Sequence, residues 1–374
     1  MRDIPVLWLT GPPGVGKSAV GWEVYTRLLA AGVRAAYADI DQLGICHPEP
    51  AGDPGRHRMQ ARNLAAVVDG YREAGATCVV VSGVVDVRRG VPLEELPGIA
   101  VTVCRLRAAD EELSRRLTGR QGSADGLAHV LREAAGLDAI GGPCVDTTGL
   151  TVAQAAQQVL ERAEGWTTPR DASRSPVAAR PEEEPDGRPV LWVCGPTGVG
   201  KSTVAFRVYL ALLAAGLRAA YADLDQLGFT PGPADHRLKA RNLAAVWRTY
   251  RRAGAETLVM AGPVGDRATA ARYEAELSGS ALTVCRLHAG RRDLTERIML
   301  RGRGLGSWPQ PGDPLIGRPV SHLRRIAGEA VLEAQALERA GPGFRVDTGG
   351  RSVDEVVALV LQGLRRTGRV PFLR

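Results

Sequence analysis

Two stretches of this chain end a glycine-rich run with a lysine and a hydroxyl, a combination suited to holding phosphate. Gly11-Pro12-Pro13-Gly14-Val15-Gly16-Lys17-Ser18 and Gly195-Pro196-Thr197-Gly198-Val199-Gly200-Lys201-Ser202 both fit G-x-x-x-x-G-K-[ST]. Glycines at 11, 14, 16, 195, 198 and 200 let successive backbone N–H groups turn inward on an anion. Lys17 and Lys201 then reach the β- and γ-phosphates of a nucleotide, and the Ser18 and Ser202 hydroxyls ligate Mg²⁺. Thr203, where the first loop has Ala19, adds a hydroxyl toward the α-phosphate. No N-K-x-D-type guanine motif appears and adenine sites carry no short signature, so the base is not read from the sequence and ATP with Mg²⁺ is the default ligand.

A second chemistry-bearing pattern follows each loop. Asp39 and Asp41 stand in YADIDQLG, and Asp223 and Asp225 in YADLDQLG. Carboxylates at the carboxyl end of a strand, beside a phosphate loop, lie where parallel sheets bind ligands. There they accept a proton from an attacking hydroxyl and order Mg²⁺ and its waters. Helix capping is the plain alternative, but a cap explains one aspartate, not two acids retained in both places.

The elements that must position these groups occur twice. Pro5–Gly44 and Pro189–Gly228 are identical at 29 of 40 aligned positions, at a constant offset of 184. HRMQARNLAAV at His57–Val67 returns as HRLKARNLAAV at His236–Val246, TVCRL recurs at Thr102 and Thr283, and V-D-T at Val145 and Val346. A duplicated domain is therefore expected, with a first copy over 1–163, an exposed Pro/Arg/Glu/Ser-rich linker over 164–188 and a second copy over 189–374. Within the first copy, strands are expected at Val6–Thr10, Arg34–Ala38, Cys78–Ser82 and Ala100–Leu106, with another ending at Asp146. Helices are expected over Ser18–Ala31, Arg58–Ala74 and Ala109–Leu117, Gly32 and Gly75 closing the first two. Strands that read as unbroken apolar runs between helices indicate a parallel sheet covered on both faces.

With those motifs in hand, the chain resembles small P-loop kinases, especially the adenylylsulfate kinase and chloramphenicol phosphotransferase branch. The resemblance covers nearly all of each copy, through the G-x-x-x-x-G-K-S loop, the D-x-D and a helix with R-x-x-x-R-N. It implies an α/β, three-layer parallel-sheet P-loop NTPase (nucleoside-kinase-like) fold, duplicated in tandem. It also implies that the first or second aspartate of each pair is the catalytic base. Arg58, Arg62 and Asn63, with Arg237, Arg241 and Asn242, fall on the substrate side. In such kinases a later helix supplies arginines that close over the phosphates, and a guanidinium there stabilises charge on the transferring group. Copy two offers Arg297, Arg301 and Arg303 before the Gly/Pro-rich Gly304–Pro319. Copy one offers Arg116 and Arg120 but has Gly122 in the third place, and its stretch from His129 to Asp146 is shorter than that from His322 to Asp347. Arg301 and Arg303 thus mark copy two as the expected catalyst. The apolar strands Val79–Gly83 and Leu258–Gly262 hold no acid, which fits this branch and argues against a motor ATPase.

Composition bounds the partners. A chain of 374 residues with 44% hydrophobic and 24% charged residues suits two ordinary globular domains. The net charge of +7 divides as −3 over residues 1–164, −1 over 165–188 and +11 over 189–374. A basic second half suits a phosphorylated or polyanionic partner. A polynucleotide end is accordingly a second acceptor class, against which stands the lack of an aromatic stacking platform. A third reading is a non-catalytic nucleotide-binding regulator whose domains pair within the chain. The leading expectation is phosphoryl transfer from ATP to a small-molecule hydroxyl. Six widely spaced cysteines read as thiols, not metal ligands or disulfides. No leader is read before the first strand and no apolar run is long enough to cross a membrane, so the cytoplasm is the expected compartment.

Overall fold

Each half of the chain lays down an apolar strand, a glycine loop and a helix, then repeats strand and helix in alternation. The computed structural model describes residues 3–121, 127–137, 141–168, 187–232, 235–277, 279–306 and 313–368. Most of the expected linker, 169–186, and part of the Gly/Pro-rich stretch, 307–312, lie outside the described residues, as does Gly122. The chain divides into two compact units. Unit 1 comprises Met1–Gly44, Pro50–Arg180 and Gly228–Leu238, and unit 2 comprises Ile45–Glu49, Pro181–Leu227 and Lys239–Arg374.

Unit 1 contains β1 (Ile4–Thr10), α1 (Lys17–Ala30), β2 (Ala35–Asp39), α2 (His57–Glu73), β3 (Cys78–Ser82) and β4 (Ile99–Arg107), then α3 (Asp110–Gln121), α4 (Leu127–Leu137), β5 (Cys144–Asp146) and α5 (Val152–Arg162). Its five strands are all parallel, in the order β2-β3-β1-β4-β5. Every residue of β1, β2 and β3 is buried, which is why these strands read as unbroken apolar runs. Strands and helices begin and end within about two residues of expectation, except that α3 runs four residues past the expected Leu117 to Gln121.

Unit 2 follows the same plan. It runs β6 (Pro189–Cys194), α6 (Lys201–Ala214), β7 (Ala219–Asp223), α7 (His236–Arg252, whose first three residues fall in unit 1), β8 (Thr257–Ala261) and α8 (Arg267–Glu276). Then come β9 (Ala281–His288), α9 (Arg291–Gly302), α10 (Val320–Ala340), β10 (Phe344–Asp347) and α11 (Val353–Thr367). Its parallel sheet has the order β10-β9-β6-β8-β7, the unit 1 order read from the other end. The chain is thus an α/β P-loop fold duplicated in tandem. In each unit the first strand lies between neighbours reached in opposite directions, so its carboxyl end opens at the switch point where such sheets bind ligands.

The outer edges β2 and β7 are both covered. In unit 1, Tyr37 N donates to Phe229 O at 3.0 Å, and the Phe229 ring packs 4.9 Å from Trp22 and 5.8 Å from Tyr37. In unit 2, Tyr221 N donates to Ile45 O at 2.9 Å and His47 N to Ala219 O at 2.8 Å. Each short segment supplies partners for backbone groups that an open edge leaves unpaired. Each is drawn from the opposite repeat, immediately after its D-x-D turn.

Candidate functional site

Both phosphate loops sit between the first strand and first helix of their unit. Gly11 and Gly195 take φ of 152° and 144°, and a Cβ on them would stand 2.3 Å from Leu106 O and 2.6 Å from Leu287 O. No other residue fits there. Gly16 and Gly200, at φ 98° and 97°, are left-handed caps from which α1 and α6 start at the lysines. Around Gly200 nothing lies within 4 Å of an added Cβ, so backbone conformation rather than crowding requires that glycine. Helix N-termini that open from loops of this shape present amides and a partial positive charge to an anion.

Lys17 is buried, and its Nζ donates to Gly11 O at 2.9 Å and Pro12 O at 3.2 Å; Lys201 Nζ donates to Pro196 O at 3.1 Å. Each ammonium is thereby folded over its own loop. Ser18 Oγ donates to Asp39 Oδ2 at 2.8 Å, and Ser202 Oγ to Asp223 Oδ2 at 2.7 Å. The other carboxylate oxygen of each accepts the amide two residues on, Asp41 N at 3.1 Å and Asp225 N at 3.0 Å. The first aspartate therefore caps the turn with one carboxylate oxygen and holds the loop serine with the other. Glycine cradle, lysine, serine and paired acid are the donor set that fits a nucleotide polyphosphate with Mg²⁺.

The acid pairs differ in their surroundings. Burial pushes the Asp39 carboxyl up to about 6, the Asp41 charge adds to the rise, and Ser18, the Asp41 amide and Lys17 oppose it. Ser82 Oγ bonds Tyr37 Oη at 2.7 Å and lies 3.4 Å from Asp39 Oδ2, at the end of β3 where larger NTPases carry an acid. In unit 2, Asp225 Oδ1 accepts from Lys239 Nζ at 2.7 Å, and Lys239 is buried. The corresponding residue of unit 1 is Gln60, also buried, whose Oε1 has no hydrogen-bond partner among the described residues.

The residues expected on the substrate side separate into two kinds. Asn63 and Asn242 are buried, and their amides donate to Leu43 O at 2.7 Å and Leu227 O at 2.8 Å, bracing the turn after each acid pair. That placement faces the protein interior. Arg58 and Arg62 both bond Glu95, Arg62 through two N–H groups at 2.7 Å. Arg237 and Arg241 are exposed on α7. Thr203 is half-buried in the first turn of α6.

The arginines after the fourth strand also divide. Arg297 Nη1 donates to Val199 O at 3.2 Å and Thr348 Oγ1 at 2.8 Å, and Nη2 to Thr348 O at 2.8 Å. Arg116 makes the same three bonds to Val15 and Thr147. These two join the phosphate loop to the V-D-T turn in each unit. Arg301 pairs with Asp313, whose side chain is nearly inaccessible, and Arg303 is exposed at the end of α9. The side chain of Arg120 lies outside the described residues.

Two participants carried no readable signal. Glu333, on α10, accepts Thr197 N at 3.2 Å across 136 residues. Glu95 gathers its two arginines from α2 across a separation of 33 to 37 residues. Lys239 did carry one, as the K-for-Q difference between HRLKARN and HRMQARN.

Residues 7–130 match the AAA domain family. That span runs from β1 through the first phosphate loop and acid pair to α4. No curated protein matches the chain. Among solved structures, it is similar to a gluconokinase from Sinorhizobium meliloti 1021, at 20% identity over 48% of this chain and 94% of that one, with a TM-score of 0.33. Another is the Mycobacterium tuberculosis APS kinase in complex with AMPPNP and APS, at 19% identity over 48% and 99%, TM-score 0.32. A third is the tunicamycin resistance protein of Deinococcus radiodurans, at 23% identity over 43% and 95%, TM-score 0.33. Among the described residues, no helix is long and apolar enough to cross a membrane.

Proposed function

We propose that the chain is an ATP- and Mg²⁺-dependent phosphotransferase that moves the γ-phosphate to a hydroxyl of a small-molecule acceptor, with unit 2 as the catalyst. The observation that carries this reading is the bond from the phosphate-loop serine to the first aspartate of the D-x-D, made in both units. It puts a carboxylate beside the phosphate end of the cradle. Mg²⁺, when bound, offsets phosphate charge there, with Ser18 or Ser202 as its protein ligand. A carboxylate oxygen of the pair takes the acceptor's O–H proton as the new O–P bond forms and the bond from Pγ to the ADP oxygen breaks. Lys201 holds the phosphates, and Arg301 and Arg303 stand on the segment that would close over them.

For unit 1 a binding-only role is the second reading, favoured by one feature. Arg58 and Arg62 are both committed to the nearly inaccessible Glu95, which leaves less of their charge for an acceptor. The deciding experiment couples ADP release to a panel of hydroxyl acceptors for wild type, Lys17→Ala, Lys201→Ala and the double variant. Acceptor-stimulated turnover should vanish in Lys201→Ala and persist in Lys17→Ala. Nucleotide bound at both sites with no acceptor-stimulated turnover would overturn the phosphotransferase reading for that panel.

A further inference from the structure

The two acid pairs look alike in sequence but carry different net charge. In unit 1 the third position of the R-x-x-x-R-N motif on α2 holds the neutral, buried Gln60. In unit 2 the same position holds Lys239, 4% exposed, with its Nζ 2.7 Å from Asp225 Oδ1. Asp225 is in turn joined to Asp223 through its own amide, and Asp223 to the loop serine. A single chain of contacts thus runs from a buried ammonium to the phosphate cradle. A nucleotide brings several negative charges to that cradle, and the carboxylates beside it repel them. Mg²⁺ ordinarily offsets this repulsion. A fixed ammonium inside the acid cluster offsets part of it without a metal; Lys239 is buried but Asp225 is 53% exposed, so the pair is partly screened.

We propose that Lys239 is a positioning and charge-compensating residue that makes nucleotide binding at unit 2 less dependent on Mg²⁺ than binding at unit 1. The inference rests on the reading of both loops as Mg²⁺-nucleotide sites, but not on any turnover. Lys239 holds the outer carboxylate in one orientation and lowers the negative potential facing the phosphates. Gln60 does neither. Unit 1 therefore waits for Mg²⁺ to bring its charges into balance, whereas unit 2 accepts free ADP or ATP more readily.

The test titrates a fluorescent ADP into the full chain, with Mg²⁺ and with EDTA. Lys17→Ala leaves unit 2 as the sole reporting site and Lys201→Ala leaves unit 1, and the quantity compared is the ratio of Kd in EDTA to Kd in Mg²⁺. In the Lys17→Ala chain, Lys239→Gln should raise that ratio about tenfold, the size expected for one unit charge acting over several ångströms of partly screened protein. Lys239→Arg should restore it. In the Lys201→Ala chain, Gln60→Lys should lower the ratio, an arm that stands even if Lys239→Gln unfolds. Equal losses of affinity with and without Mg²⁺ would reduce Lys239 to a structural prop and overturn the proposal. Failure of both parent sites to bind ADP in either buffer would overturn it together with the nucleotide reading. Binding without turnover would strike only the phosphotransferase reading.

Discussion

Asp39 is held in a place that disfavours its charge. Its carboxyl is raised to about 6, burial being the larger cause and Asp41 the next. A raised carboxylate contributes stability that is fully present below the unfolded-state value near 4 and is lost as pH climbs through 6. In metal-free buffer the fold should therefore weaken between roughly pH 4 and 6 by an amount on the order of 2–3 kcal/mol from this group. Asp39→Asn should flatten that part of the pH–Tm curve and raise Tm at pH 8. A curve of unchanged shape in the variant would show that Asp39 is ionised without penalty. The motif alone announced that Asp39 and Ser18 belong to one site. It did not announce their direct bond, because a D-x-D twenty-one residues from a serine gives no distance until the sheet order is known.

At the scale of elements, the loops owe their shape to more than their glycines. Arg297 joins Val199 of the phosphate loop to Thr348 beyond β10, and Arg116 does the same for Val15 and Thr147. Each guanidinium donates to a carbonyl of the loop and to one of the turn, and removing it takes a charged donor from both. Arg297→Ala should weaken nucleotide binding at unit 2 by at least tenfold and destabilise the unit by roughly 2–3 kcal/mol, for the loss of several charge-assisted bonds. Isothermal titration and thermal melts of the Lys17→Ala background would show both; retained affinity would make the brace dispensable. In sequence these arginines were grouped with Arg301 and Arg303 as closing residues, since all four lie on or beside the helix after the fourth strand. Helical spacing tells which residues share a face but not whether that face meets a loop, a turn or solvent. The strands, by contrast, were legible almost to the residue, because full burial on both faces leaves only apolar side chains and a clear start and stop.

For the whole molecule, the repeat predicts two like folds and does not predict that each would take a segment from the other half of the sequence. Phe229 belongs to the second repeat yet packs among Trp22, Tyr25 and Tyr37 of unit 1, with Thr230 O near Tyr25 Oη at 3.4 Å. The two stretches after the D-x-D differ in length and have little in common, so nothing in the duplication marks them as structural partners of an edge strand. Phe229→Ala should cost unit 1 about 3 kcal/mol, the usual penalty for emptying an aromatic site in a packed cluster. Two-probe unfolding would report it as an early transition of unit 1, and a variant as stable as wild type would show the cluster to be incidental. By the same reasoning a chain ending at Thr168 should fold less well than unit 1 does in the intact protein, since β2 would present bare amides and carbonyls to solvent.

One small asymmetry between the loops has a larger meaning. Thr197 gives its amide hydrogen to Glu333, whereas Pro13, in the same place in the first loop, has no hydrogen to give. A phosphate that approaches the first loop meets no such rival at that position. At the second it must compete with a carboxylate already seated there, so capture is an exchange of one anion for another. Glu333 itself stands on α10, the helix that follows Asp313, the partner of Arg301. The second loop is thus tied to α10 by a bond that the first loop, with Pro13 in that place, cannot make.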